Sequence, residues 1–219
     1  MREEVFVLCT GSSLNNLTEE EKDYVRSKKH ICVNRYPVFW EMIGIEPEIY
    51  IMVDNWLSEK LLTEVCRKTK GLKIITTEKN NQILQKLPKT WDSILVTGET
   101  RNRRKFIDKI SPETSLFWSS VLGSAVNAST ILFPGHDIKI LGLDGGMTNH
   151  YWTGKISKNK LDHSNPNQKH NSHAMLKHGM KYITSECSRL GVNVSCCNIK
   201  SQWVREKKIN YSPVIPDSA

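Results

Sequence analysis

The sequence predicts a doubly wound α/β domain: a mostly parallel sheet with helices on both faces and a lid segment. Three observations predict it. Short apolar runs alternate with stretches of helical period along the chain. Several of these runs, notably Glu4–Cys9, His30–Val33 and Ile49–Val53, give way directly to small or polar residues, the pattern of strands whose carboxyl ends line a binding edge. The stretch from Ser119 to Gly146 reads as a buried helix, a turn at Pro134-Gly135, a continuous strand from Ile138, and then Asp144-Gly145-Gly146.

Glu4–Cys9 is the first strand, followed at once by Thr10-Gly11-Ser12-Ser13-Leu14. A glycine and two hydroxyls after a first strand can wrap a phosphate or ribose through backbone N–H and Oγ donors, and equally serve as ordinary turn chemistry. The turn is neither GxGxxG nor a P-loop. Thr18 and Glu21 form a capping box that opens a helix to about Lys28. His30–Val33 is the second strand, ending in Asn34, whose amide can read a base or sugar hydroxyl or begin a turn. Pro37–Gly44 suits a short amphipathic helix, and Ile49–Val53 a third strand ending in Asp54-Asn55. Trp56–Lys70 is a helix, Leu72–Thr77 a fourth strand, Asn81–Leu87 a short helix, and Ser93–Thr97 a strand suited to a sheet edge. Arg101–Lys105 is a basic cluster, read first as a solvated face and second as an anion contact.

The Ser119–Phe133 helix is apolar most of the way round and rich in small residues, so it packs closely inside. Its amino end offers free N–H groups near Ser120, Gly123 and Ser124. Residues 147–168 are polar and aperiodic, and their place after Asp144 reads as a lid hinged at Gly145-Gly146. A long helix follows, from about Lys169 to Leu190, then a last strand over 191–197. Residues 1–198 form one domain, and 199–219 read as a tail without periodicity.

A chain of 219 residues suits one domain. No run of about eighteen apolar residues is present, and the amino end does not read as a signal peptide, so a cytoplasmic protein, at most peripheral to a membrane, is expected. The six cysteines show no CxxC spacing and read as reduced core residues. The net charge of +8 suits a phosphate-bearing substrate; no nucleic-acid motif stands out, and no nucleic-acid partner is expected. No GxSxG elbow or paired-carboxylate metal motif occurs, and no metal ligands are assigned. His170 and His173 share a face at a helix start, where the dipole keeps an imidazole neutral and able to act as a base; two solvated histidines are the plainer reading. His150, six residues after Asp144, could touch a ligand.

The order of these motifs resembles two related families. Gly11-Ser12-Ser13-Leu14 after the first strand resembles the GNGPSL-type turn of bacterial sialyltransferases of the Campylobacter lipooligosaccharide type, without its Asn and Pro. Ile31–Asn34 resembles their second strand. Gly44-Ile-Glu-Pro-Glu followed by a strand and Asp54 is similar to a segment of motility accessory factors and the archaeal 6-hydroxymethylpterin pyrophosphokinase. Gly123-Ser124-Ala125 and the strand ending at Asp144 resemble a unit common to both. The resemblance covers roughly residues 5–55 and 119–198, and implies a Rossmann-like fold and a transferase.

The resemblance implies a nucleotide site built from Gly11, Ser12, Ser13, Asn34, Asp54, Asn55, Ser120, Gly123, Ser124, Asp144 and Gly145. It implies His173 or His170 as general base, and Tyr151, beside Trp152, on the donor phosphate. The expected activity is a glycosyltransferase using a nucleotide sugar, CMP-linked in the closest analogy, on a glycan or lipid-linked glycan. No tightly bound cofactor is expected, and Mg2+ is an optional companion of the phosphates. A homo-oligomer stays open. The alternatives are ATP-dependent pyrophosphoryl transfer to a pterin-like alcohol, and a nucleotide-binding factor without catalysis.

Overall fold

The computed structural model describes residues 2–52, 59–76, 94–97, 105–111, 114, 116–117, 120–144, 150, 155 and 172–216. Within these, eight strands form one sheet: β1 (Glu4–Leu8), β2 (Lys29–Val33), β3 (Ile49–Met52), β4 (Lys73–Thr76), β5 (Ile94–Thr97), β6 (Asp137–Leu141), β7 (Val194–Cys196) and β8 (Asn210–Tyr211). Their order is β5-β4-β3-β2-β1-β6-β7-β8, and every pairing is parallel. The predicted α/β class is therefore the observed one, a Rossmann-like sheet with its direction of winding reversed between β1 and β6.

Alternation along β1 explains why both faces are covered. Val5 and Val7 point into one core with Ile31, Ile51 and Ile140, beneath α3 (Val121–Leu132) and α4 (Ser172–Arg189). Phe6 and Leu8 point into the other with Cys32, Tyr50 and Leu141, beneath α1 (Glu19–Arg26) and α2 (Glu59–Lys68). Neither face of the central strands meets water, so their sequences run apolar without alternating with polar residues.

The capping box forms as its residues require. Thr18 Oγ1 accepts from the Glu21 N–H at 3.1 Å, and Glu21 accepts from the Thr18 N–H at 2.8 Å. In α3, residues 122–129 are all buried. Three of them are polar, Ser124, Asn127 and Ser129, and Asn127 bonds outside its own helix through both ends of its amide. Its Oδ1 accepts from the N–H groups of Ile107 (3.2 Å) and Phe117 (3.1 Å), and its Nδ2 donates to Ile107 O (2.9 Å). One side chain thus ties the segment before α3, including buried Phe106 and Phe117, onto the helix.

Two expectations change, and one helix is described only in part. Pro37–Gly44 is not a helix of α type but two 3-10 turns, Tyr36–Val38 and Trp40–Met42, because Phe39 between them leaves the helical region at φ −124° and ψ 18°. The helix expected from Lys169 is described from Ser172. Segment 199–219 is not a loose tail over its described part. Ser201 caps α5 (Gln202–Arg205), Trp203 is buried at 1% exposure, β8 extends the sheet, and Val214 reaches the second core.

A buried lysine holds that segment down. Lys139, in the middle of β6 at 4% exposure, donates to Pro213 O (2.9 Å) and Val214 O (3.0 Å) and pairs with Glu4 Oε1 at 2.9 Å. Tyr24 Oη donates to the other oxygen of Glu4 at 2.7 Å. Burial, then the Glu4 carboxylate, pushes the Tyr24 hydroxyl up to about 12. A charge this deep is tolerable only with its donors paired.

Candidate functional site

A doubly wound sheet opens a crevice where its winding reverses, beyond the carboxyl ends of the two strands flanking that point. Here those strands are β1 and β6. The segments leaving them are Thr10–Asn16 and Gly142–Asp144, two of the regions the sequence singles out.

The two segments are fastened together. Cys9 N–H donates to Leu141 O and Gly11 N–H to Gly142 O, both at 2.9 Å, so the β1–β6 ladder continues past the strands. Residues Ser12–Asn16 then form a 3-10 turn that buries Leu14. The Asp144 carboxylate sits at its start. Its Oδ2 accepts from Ser13 N–H (2.9 Å) and Ser12 Oγ (3.2 Å), and its Oδ1 from Ser13 Oγ and from Asn198 Nδ2 (3.0 Å). Gln202 N–H donates to the Asp144 main-chain oxygen at 2.9 Å.

Glycine is required at both ends of this contact. A Cβ on Gly11 would lie 2.5 Å from Gly142 O and 2.6 Å from Asp144 Oδ2. Gly142 has φ +70°, and a Cβ there would lie 3.0 Å from the Cys9 carbonyl. Two described points of the segment expected as a lid lie against the same turn. Residue His150 bridges to Gly11 in antiparallel fashion, with its Nδ1 3.0 Å from Thr10 Oγ1, and Lys155 Nζ donates to Asn15 Oδ1 at 2.8 Å.

Asn34 ends β2 with φ +56°, the left-handed conformation that Asn tolerates better than other side-chain-bearing residues. The Leu8–Cys32 pairing puts it on the same edge as Thr10. Helices α3 and α4 each lead into a parallel strand, so their amino ends return to that edge. Ser120 is the N-cap of α3; its Oγ is buried and makes no hydrogen bond to the described residues. Gly123 and Ser124, expected beside it in an anion cradle, are buried in the first turn of α3. Ser124 Oγ donates to Phe117 O at 2.9 Å, because the first turn of α3 faces the segment packed beneath it. His173 lies in the first turn of α4, on the same edge by topology. Asp54, Asn55, Gly145, Tyr151 and His170 lie outside the described residues.

The residue that sequence reasoning missed is Asn198. It lies two residues past β7, as Asn34 lies one residue past β2, so the rule that selects polar residues just beyond strand ends could have selected both. A cleft of about 100 Å³ opens behind the turn, lined by Ser13, Leu14, Asn16, Asn198 and Val214 among others. It is smaller than the roughly 300–1,000 Å³ of ordinary ligand pockets. Among the described residues no three His, Cys, Asp or Glu side chains converge as metal ligands. Nor is any described helix long and apolar enough to cross a membrane.

No protein-family model and no curated protein matches the sequence. Solved structures do match the fold. The chain is similar to the monofunctional alpha-2,3-sialyltransferase Cst-I from Campylobacter jejuni, with a TM-score of 0.57 at 11% identity over 100% of this chain and 83% of that one. It is similar to the sialyltransferase CstII from Campylobacter jejuni in complex with a substrate analogue, CMP-3FNeuAc (TM-score 0.55, 13% identity, 100% of this chain and 90% of that one). It is also similar to the sialyltransferase CST-II in complex with a trisaccharide acceptor and CMP (TM-score 0.52, 13% identity, 99% and 89%). The chain has the fold of these sialyltransferases along nearly its whole length, at an identity that speaks for the fold alone.

Proposed function

We propose that this protein is a glycosyltransferase that takes its sugar from a nucleotide donor, most directly a CMP-linked one, and passes it to a glycan or lipid-linked glycan. The observation that carries the reading is the coincidence of two facts. The winding of the sheet reverses where the Gly11–Ser13 turn meets Asp144. The same overall fold belongs to sialyltransferases whose structures hold a CMP-sugar analogue, or CMP with an acceptor.

In this reading the nucleotide lies across the carboxyl ends of β1, β2 and β3. The Gly11-Ser12-Ser13 turn and Ser120 at the start of α3 face its phosphate, and Asn34, Asp54 and Asn55 its nucleoside. Gly145 gives the backbone a close approach to the donor. The acceptor hydroxyl attacks the anomeric carbon, the bond from that carbon to the phosphate oxygen breaks, and the nucleotide leaves as CMP. His173 or His170 takes the hydroxyl proton, a step worth about 10²–10⁴ in rate. Tyr151 donates to the departing phosphate. The pyrophosphokinase and non-catalytic readings draw no support from the geometry or from the neighbours.

A saturation-transfer NMR screen against CMP, UDP, GDP and ATP tests the proposal. CMP is expected to bind; silence from all four nucleotides would end the reading. Replacing both His170 and His173 with Ala should abolish sugar transfer while CMP affinity stays within about threefold.

A further inference from the structure

Asp144 has no lone pair to spare for a ligand. A carboxylate offers about four acceptor sites, and Ser12 Oγ, Ser13 N–H, Ser13 Oγ and Asn198 Nδ2 take all four. We propose that Asp144 does not touch the donor but is a positioning residue: it holds both serine hydroxyls and the Ser13 N–H, so that the turn faces the phosphate with the Ser12 N–H, and Asn198 sets the orientation of its carboxylate. The proposal rests on the nucleotide-donor reading and revises the place of Asp144 within it.

The clamp is held from behind. Gln202 N–H fixes the Asp144 main chain at 2.9 Å while Asn198 fixes the side chain. Asn198 is itself oriented: its Oδ1 accepts from Lys200 N–H at 3.0 Å, which leaves the amide nitrogen to face Asp144. The turn is seated directly on the carboxylate, since a single added carbon at Gly11 would overlap it. The neighbouring thiols add no charge to the arrangement. The Cys9 and Cys196 thiols are both held protonated, chiefly by burial, and the Asp144 charge acts in the same direction.

A reciprocal exchange isolates the clamp. Asp144→Asn alone sets two amide groups donor to donor, and Asn198→Asp alone sets two carboxylates face to face. In the double variant the new amide at 144 accepts from Ser13 N–H and donates to the new carboxylate at 198, which still accepts from Lys200 N–H. Ser13 Oγ turns from donor to acceptor. The three variants, the unaltered protein and Asn127→Ala, a stability control remote from the turn, are compared by three measurements. These are CMP affinity by titration calorimetry, hydrogen exchange of the Ser13 amide without nucleotide, and melting temperature.

Each single exchange should weaken CMP about 10- to 100-fold, the scale of one lost hydrogen bond to a charged group, and speed Ser13 exchange comparably. The double exchange should bring both back to within about threefold. Asn127→Ala should lower the melting temperature and leave CMP affinity unchanged. Single variants with unaltered affinity and exchange overturn the proposal. So does a double variant no better than the worse single, or Asp144→Asn binding CMP more tightly, which would mean that the carboxylate competes with the phosphate. If the unaltered protein binds no CMP, the donor reading fails, and Ser13 exchange alone decides whether Asp144 and Asn198 clamp the turn.

Discussion

Gly11→Ala tests the meeting of β1 and β6 with one carbon. The backbone at Gly11 is ordinary, φ −69° and ψ 157°, so alanine meets no conformational penalty there. Space is the whole issue. The new Cβ would lie 2.5 Å from Gly142 O, 2.6 Å from Asp144 Oδ2 and 2.7 Å from Asp144 Cγ. The turn cannot simply move away, because Gly11 N–H is bonded to that same Gly142 oxygen at 2.9 Å. Overpacking of this kind costs about 1–3 kcal/mol. Displacing Ser13 N–H from the carboxylate adds about 1.5–3 kcal/mol. The expected total is about 2.5–6 kcal/mol. Gly135→Ala is the matched control: its φ is +79° but nothing lies within 4 Å, so only backbone strain of about 1–2 kcal/mol is expected. Urea unfolding midpoints at constant slope measure both. A Gly11→Ala variant no less stable than Gly135→Ala would refute the close approach and the clamp geometry built on it.

Other substitutions probe the rest of the fold. Asn127→Ala strands the buried Phe117 N–H and the half-buried Ile107 N–H and carbonyl, and should cost about 3 kcal/mol by urea denaturation. Lys139→Met leaves the Glu4 carboxylate with Tyr24 alone and should cost about 3–5 kcal/mol, part of which Glu4→Gln in the same chain should recover. Burial raises the Cys187 and Cys197 thiols from 9.0 to about 12, so the unfolded chain loses these protons first as pH rises. Their contribution to stability is full below about pH 9 and should decline from there toward pH 12 in pH-dependent unfolding. Iodoacetamide at pH 8, read by peptide mass spectrometry, should spare Cys9, Cys32, Cys187, Cys196 and Cys197 until the protein is unfolded.

The elements legible in the sequence are those whose cause is local. Thr18 and Glu21 lie three positions apart, and both halves of the box form. Val5–Leu8 and Ile138–Leu141 carry the mark of burial on both faces. The edges of the site were legible for the same reason, since Thr10–Ser13, Asn34 and Asp144 each close an apolar run. How those residues pair was not. Ser13 and Asp144 are 131 positions apart and Asn198 a further 54, and no periodicity encodes such a meeting. The packing of Gly123 and Ser124 was not legible either, because small residues serve equally for an anion cradle and for a helix packed tightly beneath a neighbouring segment. Residues 199–216 escaped because a one-turn helix and a two-residue strand are too short to show a period. What fixes them is Lys139, some 74 positions earlier.

That lysine has a consequence for the order of events during synthesis. β6 has left the ribosome while Pro213 and Val214 are still to be made. Until they arrive, the ammonium of Lys139 lacks two of the oxygens that hold it in the finished protein. Glu4 of β1 is its partner from the start, and the final seating of that charge waits for residues more than seventy positions downstream.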